Sequence, residues 1–489
     1  MLRATALIAA ALAFPACHPA SRPVVTPRAP SRAQLQHDID ALLDAPALQR
    51  SYWGVAVRSL DSGDTLYAHD AGKLLMPASN LKIVTLAAAA DRLGWDYAYE
   101  TRLFAAGREA DGELHGDLLV VGSGDQIGAG DRPTQPFDDW AAALRARGIR
   151  RIAGRIIGDD NAWDDETLGF GWSWDDLSEG YAAAVGPLQF GEDSVLVAIT
   201  PGPEEGASAA VTATPAGGVV IRNDVWTSAA GSVTAVEVGR PLGGDEILLR
   251  GNLPAGSATI LRRVAVDNPT RFFVTMLRQT LVHDGVDVAG PAVDIDDVRD
   301  APSRSGATLV ADYRSPPLSE LAVRLMKASQ NQYAETLLKT VAAAAGTPTF
   351  ATGRRLALET VERWGVAPGA IVMADGSGLS RYNYVTADAL VTILAHVDAD
   401  PRLKAPFEAA LPSAGEDGTL AARFAGTPAA GNARAKTGSM TSVRALSGFL
   451  RTAGGERVAF SILANNFDVP PDEIVKAIDA VVVRLAELR

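Results

Sequence analysis

The texture of this chain changes twice along its length, and that double change limits the folds open to it. Before about Glu100, and again after Ser315, strand patterns alternate with amphipathic or buried helical patterns. Between them, Glu100 to Ala307 is a succession of short β-rich runs broken by Gly, Pro and Asp turns. Asp117–Val121, Val195–Thr200 and Glu246–Leu253 are examples, and Pro269–Asp284 is the one helix expected there. Two similar ends around a dissimilar middle read most economically as one α/β (α+β) domain split by a long β-rich insertion.

The ends supply the parts of such a domain. An amphipathic helix is expected over Leu35–Leu48, then strands Trp53–Ser59 and Thr65–His69 around the turn Asp61-Ser62-Gly63-Asp64. Met76–Leu93 reads as a buried helix opened by Pro77 and closed by Gly94. Helices follow over Leu318–Lys327, Gln332–Ala345 and Phe350–Trp364. The chain then finishes with strands Ala435–Met440, Ser442–Thr452 and Arg457–Ala464. A last helix follows Pro470-Pro471, with Ile474, Ile478, Val481 and Leu485 on one face. The N-terminal strands and the C-terminal hairpin are expected to share a single antiparallel sheet with helices on both sides.

Composition excludes several function classes. With 47% hydrophobic and 21% charged residues the chain is globular, and 489 residues predict two or three domains. A formal net charge of −13 argues against nucleic acid, whose binding needs clustered Lys and Arg. Arg3, the apolar run Ala4–Phe14 and small residues beyond it read as an export signal too short to span a bilayer. The single cysteine, Cys17, lies where cleavage is expected; its setting resembles a lipoprotein signal, and lipidation and simple cleavage both remain open. His18–Ala33, rich in Pro, Arg and Ser, reads as a tether. The expected location is outside the cytoplasm, in the periplasm, possible membrane attachment being through Cys17. The six histidines are scattered without metal-ligand spacing, so no metal or other cofactor is expected.

Three short segments carry the chemistry: Ser79-Asn80-Leu81-Lys82, Ser329-Gln330-Asn331 and Lys436-Thr437-Gly438. Each alone has a bland reading, as a capping serine, an N-cap pair or a strand start. Together, in this order, they describe an acylating serine, the lysine that activates it and a wall for a carboxylate. Ser79 in the first turn of a helix places Lys82 on the same face. A serine hydroxyl is a poor nucleophile until a base takes its proton, and lysine serves if burial keeps its amine neutral. Ser329 reads as a proton shuttle and Asn331 as an amide clamp. Gly438 on a strand lets another chain approach, so a peptide can add along that edge, its terminal carboxylate meeting Lys436 and Thr437. The backbone N–H groups of Ser79 and Ser439 are the candidate oxyanion hole.

Further segments fit this set: Gly171-Trp172-Ser173-Trp174-Asp175-Asp176, Asn331-Gln332-Tyr333-Ala334-Glu335, Asp375-Gly376-Ser377-Gly378-Leu379-Ser380-Arg381, Asp417-Gly418-Thr419 and Leu463-Ala464-Asn465-Asn466. With Ser329 following Ser79 by 250 residues, the chain resembles the class C low-molecular-mass penicillin-binding proteins. The resemblance implies a D-alanyl-D-alanine carboxypeptidase, also an endopeptidase, acting on peptidoglycan stem peptides ending in D-Ala-D-Ala and acylated by β-lactam antibiotics. It implies a β-lactamase-like transpeptidase domain over residues 34–97 and 308–489. Within it would lie an inserted domain over 98–182 and 270–307, and a nested β-rich domain over 183–269. By position, Ser79 is the nucleophile and Lys82 the base, with Ser329, Asn331 and Lys436 completing proton transfer and carboxylate binding. Asp176, Tyr181, Arg381 and Met440 match a pocket for the third residue of the stem peptide, where an acidic group suits a side-chain ammonium. Gln330 stands where the family often has Asp, and Gln126 where it usually has Pro; both are expected to matter only locally. A β-lactamase or esterase on the same fold, or a non-catalytic wall-binding protein, are the competing readings.

Overall fold

The computed structural model describes residues 31–128 and 132–489. The export signal, Cys17 and all but the end of the tether lie outside the described residues. That end, Arg32-Ala33, belongs to the first helix, Arg32–Leu43, because Ser31 caps it by accepting from the N–H of Gln34. The expected continuation to Leu48 is replaced by turns.

The two ends of the chain meet in one five-stranded antiparallel sheet, in the order Thr65–His69, Tyr52–Ser59, Arg457–Asn465, Val443–Arg451, Arg434–Met440. Both faces are covered, which explains strands apolar at nearly every position. Val55, Val57, Phe460 and Ile462 point to a core shared with Leu35, Ile39 and the Pro471–Glu487 helix. Ala56, Ala445, Ala459 and Leu463 point to the opposite core, with Leu86, Leu390 and Leu394 from helices Lys82–Leu93 and Ala387–Ala399. The Ala387–Ala399 helix has no counterpart in the expectations: its mean composition is apolar on most sides, so no clean face announces it.

The middle of the chain forms its own sheets. Asp287–Val288, Arg151–Ile152, Glu113–Val121, Glu100–Ala110 and Thr308–Arg314 run in that order within a seven-stranded sheet. Thr308–Arg314 therefore pairs with Glu100–Ala110 of the insertion and not with the terminal sheet, contrary to a boundary at residue 308. The insertion also holds a second helix, Gln135–Ala146, missed because its Pro136 and the Gly, Pro and Asp residues before it read as a turn. It packs on Pro269–His283 through Phe137 and Phe273, ring centroids 5.0 Å apart. Two three-stranded sheets lie beyond, and one hydrophobic cluster runs through the whole insertion, from Leu118 and Phe137 to Val195 and Ile247. Residues expected to form two separate units thus share one core. Among the described residues no helix is long and apolar enough to cross a membrane.

Candidate active site

Pro77 precedes a 3-10 turn, Ala78–Leu81, and the α-helix proper begins at Lys82. The expected single helix from Met76 is thus two pieces, and Ser79 sits on the tighter one. Two non-glycine residues flanking the chemistry lie in the left-handed region, Ala78 at φ 46° and Ser329 at φ 61°. Such backbone costs on the order of 1–3 kcal/mol each and persists only where surrounding contacts over-determine it. Those contacts are close: a Cβ on Gly378 would lie 1.9 Å from the Ala78 carbonyl oxygen, and one on Gly438 2.4 Å from that of Pro77. Gly438 is therefore needed for the serine's own segment to approach the strand, a different reason from the peptide approach expected.

The three motifs converge. The Lys82 Nζ lies 2.8 Å from Ser79 Oγ, 2.7 Å from Asn331 Oδ1 and 2.8 Å from the Ser377 carbonyl oxygen. Asn331 Nδ2 donates to the Tyr181 carbonyl at 2.8 Å, which fixes the amide orientation. The Lys436 Nζ donates to Ser329 Oγ at 2.8 Å and to the Thr437 carbonyl at 2.9 Å. Both lysines are fully buried. Burial pushes Lys82 down to about 7, against the opposing pull of Asp375 and Glu335. Burial, then the nearby Lys82, pushes Lys436 well below the usual lysine range.

This geometry determines which way the proton points. Asn331 Oδ1 and the Ser377 carbonyl can only accept, so a neutral Lys82 spends its two N–H groups on them. Its lone pair is then left for Ser79, whose hydroxyl is the one donor among the three partners. An amine so held can serve as a base for that hydroxyl.

The residues open onto a cleft of about 300 Å³, lined by Ser79, Ser329, Asn331, Ser439, Met440, Asp176, Tyr181 and Arg381. The Tyr181 hydroxyl donates to Asp176 Oδ1 at 2.6 Å, and burial followed by Asp176 holds the phenol well above its usual range. Arg381 donates to the Thr441 carbonyl at 3.2 Å. Thr437 and Gly438 lie on the edge strand Arg434–Met440, with Thr437 Oγ1 donating to Thr419 Oγ1 at 2.7 Å. Gln330 is turned from the cleft and donates to Glu192 of the insertion. Gln126 donates to Gln332, beside Asn331, so that loop touches the motif helix.

Sequence reasoning gave no role to Ser377, Asp375 or Glu335. Asp375 accepts from the N–H groups of Gly378 and Ser380, from Asn383 Nδ2 and from Trp172 Nε1, tying the insertion to this loop. The signal for Asp375 and Ser377 was a Gly-rich turn, and Glu335 stood in the segment Asn331–Glu335 without a role of its own. Away from the cleft, Asp160, Asp294 and Asp296 bring carboxylate oxygens within 4.8 Å of one another, a group that contains no histidine.

Residues 35–488 match the family described as D-Ala-D-Ala carboxypeptidase 3 (S13). The chain belongs to that family. The D-alanyl-D-alanine carboxypeptidase of Actinomadura sp. (strain R39) is 37% identical over 470 residues, covering 93% of this chain and 85% of that relative. D-alanyl-D-alanine carboxypeptidase DacB of Haemophilus influenzae is 24% identical, covering 85% of each chain. The crystal structure of penicillin binding protein 4 (dacB) from Haemophilus influenzae has the same fold, with a TM-score of 0.82 at 23% identity. It covers 92% of this chain and 99% of that one. Membership makes the protein a serine-type carboxypeptidase of the D-Ala-D-Ala class, on a mixed α/β penicillin-binding fold.

Proposed function

We propose that Ser79 is the nucleophile of a D-alanyl-D-alanine carboxypeptidase that also opens peptide cross-links in peptidoglycan outside the cytoplasm. The observation that carries this reading is the Lys82 amine, held by two acceptors with its third contact on Ser79 Oγ at 2.8 Å. As Ser79 Oγ attacks the carbonyl carbon of the penultimate D-alanine, Lys82 takes the hydroxyl proton. The oxyanion is received by the backbone N–H groups of Ser79 and Ser439, an arrangement commonly contributing about 3 kcal/mol. Lys436 and Ser329 carry a proton to the departing amine of the terminal D-alanine, whose carboxylate meets Lys436 and Thr437. Free D-alanine leaves, and water hydrolyses the ester. A β-lactam carbonyl is attacked in the same way, but its leaving nitrogen stays tethered and the ester persists.

Asp176, Tyr181, Arg381 and Met440 form the wall for the stem peptide's third side chain. A carboxylate at the mouth of a half-open cleft favours a side-chain ammonium, such as that of meso-diaminopimelate. The N-terminal signal supports export to the periplasm, with Cys17 the site either of lipid attachment or of simple cleavage. The test is incubation with labelled penicillin and with a D-alanyl-D-alanine peptide. A stable adduct that Ser79→Ala abolishes, together with release of D-alanine, is the expected result. Rapid drug turnover without D-alanine would replace this reading by a β-lactamase or esterase. Neither adduct nor turnover would leave a non-catalytic wall-binding protein.

A further inference from the structure

Lys82 keeps its lone pair on Ser79 only while both of its acceptors stay in place. One of them, Asn331 Oδ1, is a side chain on the Asn331–Ala344 helix. The other is the backbone carbonyl of Ser377, in a turn with no regular secondary structure. Something must hold that turn, and the contacts identify what.

Glu335 lies one helical turn after Asn331 and is fully buried. Its two oxygens accept the N–H of Gly376 at 3.0 and 2.9 Å, and Oε1 accepts the N–H of Ser377 at 2.8 Å. From the opposite side Thr85, three residues after Lys82, donates to the Gly376 carbonyl at 2.6 Å. We propose that Glu335 is the positioning residue of the catalytic lysine: its carboxylate clamps the Gly376–Ser377 backbone, which presents the Ser377 carbonyl to the Lys82 amine. One helix then sets both acceptors, Asn331 directly and Ser377 through Glu335. The inference rests on Lys82 acting as the base.

The chemistry of the clamp calls for an anion. Three N–H contacts converge on two oxygens, and the amide of a glutamine would set its own N–H donors against the backbone ones. Burial, then Asp375, pushes the Glu335 carboxyl upward, while the converging N–H groups favour the carboxylate. An apolar side chain here would leave the buried Gly376 and Ser377 N–H groups without an acceptor, so the carboxylate holds the turn's fold as well as its position. The charged groups around Lys82 are Glu335 from the helix, Asp375 from the turn and Lys436 from the edge strand. Asp375 also faces Glu335. Glu335 and Asp375 favour the ammonium form of Lys82, and Lys82 in turn holds Lys436 down.

Position and charge separate experimentally. The readout is the second-order rate of acylation by labelled penicillin per active molecule, measured across pH. Acylation requires the neutral amine, so its rate rises with pH through the Lys82 titration. In Glu335→Gln the plateau should fall about 10- to 100-fold through misplacement of the amine. The rising limb should also move about one unit to lower pH, since a lost anion releases the lysine proton more readily. Glu335→Asp keeps the charge and shortens the reach, so its plateau falls while the limb stays. Thr85→Val loosens the same peptide without changing charge, giving a smaller plateau loss and an unmoved limb. Folded Glu335→Gln that acylates at the wild-type rate with an unmoved limb overturns the proposal. So does a set in which all three variants lose only folded protein, each remaining molecule reacting normally; Glu335→Asp and Thr85→Val decide the matter if Glu335→Gln does not fold. A wild-type protein that takes up no penicillin overturns the functional reading itself, a distinguishable failure.

Discussion

Along Arg457–Asn465 of the terminal sheet every residue after the first is buried, whereas Ala210–Thr214 of the insertion alternates exposed and half-buried positions and Ala235–Gly239 has no buried one. The difference follows from cover. Helices lie on both faces of the terminal sheet, so its surroundings can take Lys82, Lys436, Glu335 and Asp375 entirely out of water. There, burial moves titrations and hydrogen bonds fix orientation. In the insertion's small sheets, pairs such as Arg222–Asp224 stay in solvent and contribute little. Its contribution to the site is a wall: Asp176 and Tyr181, at the mouth, and the Tyr181 carbonyl that orients Asn331. Under the proposed function, reactivity is built where water is excluded, and selectivity where the substrate enters.

Substitutions can break this contrast, the most damaging being in the dry seam. Ser79→Ala and Lys82→Ala should each cut D-alanine release by about 10⁴-fold or more, measured as kcat/KM on a D-alanyl-D-alanine peptide. In the wild type, acylation should rise with pH through about 7 as Lys82 loses its proton; a rate flat across that range would show the lysine is not the base. Phe460→Ala, in the middle strand of the terminal sheet, should cost about 3–5 kcal/mol in denaturant unfolding, since the site is closed on all sides. Asp176→Asn should spare acylation by penicillin yet lower by about 10-fold or more the preference for a third residue bearing an ammonium over an apolar one. An unchanged preference would remove selectivity from the insertion. Leu261→Ser, at 56% exposure on an outer strand, should change stability by no more than about 0.5 kcal/mol.

How much of this was legible beforehand varied by element. The hairpin and last helix of the C-terminal end were readable because turn residues and periodicity agree there. The Ala387–Ala399 helix carried no such face, and Gln135–Ala146 hid behind turn-forming residues. Thr308–Arg314 looked like a return to the terminal domain, yet its partner is a strand more than two hundred residues earlier. Pairing between strands is a long-range choice that alternation along one strand does not specify.

The sequence by itself determined the split architecture and the family and put forward the three motifs, because residue type and order fix which chemistry is available. Tertiary structure decided the rest. Only folding brings Ser377 and Asn331 to the two N–H groups of Lys82, buries Glu335 under the Gly376–Ser377 peptide and removes water from both lysines. Burial and the direction of a lone pair are properties of a packed neighbourhood, and no local pattern of residues contains them.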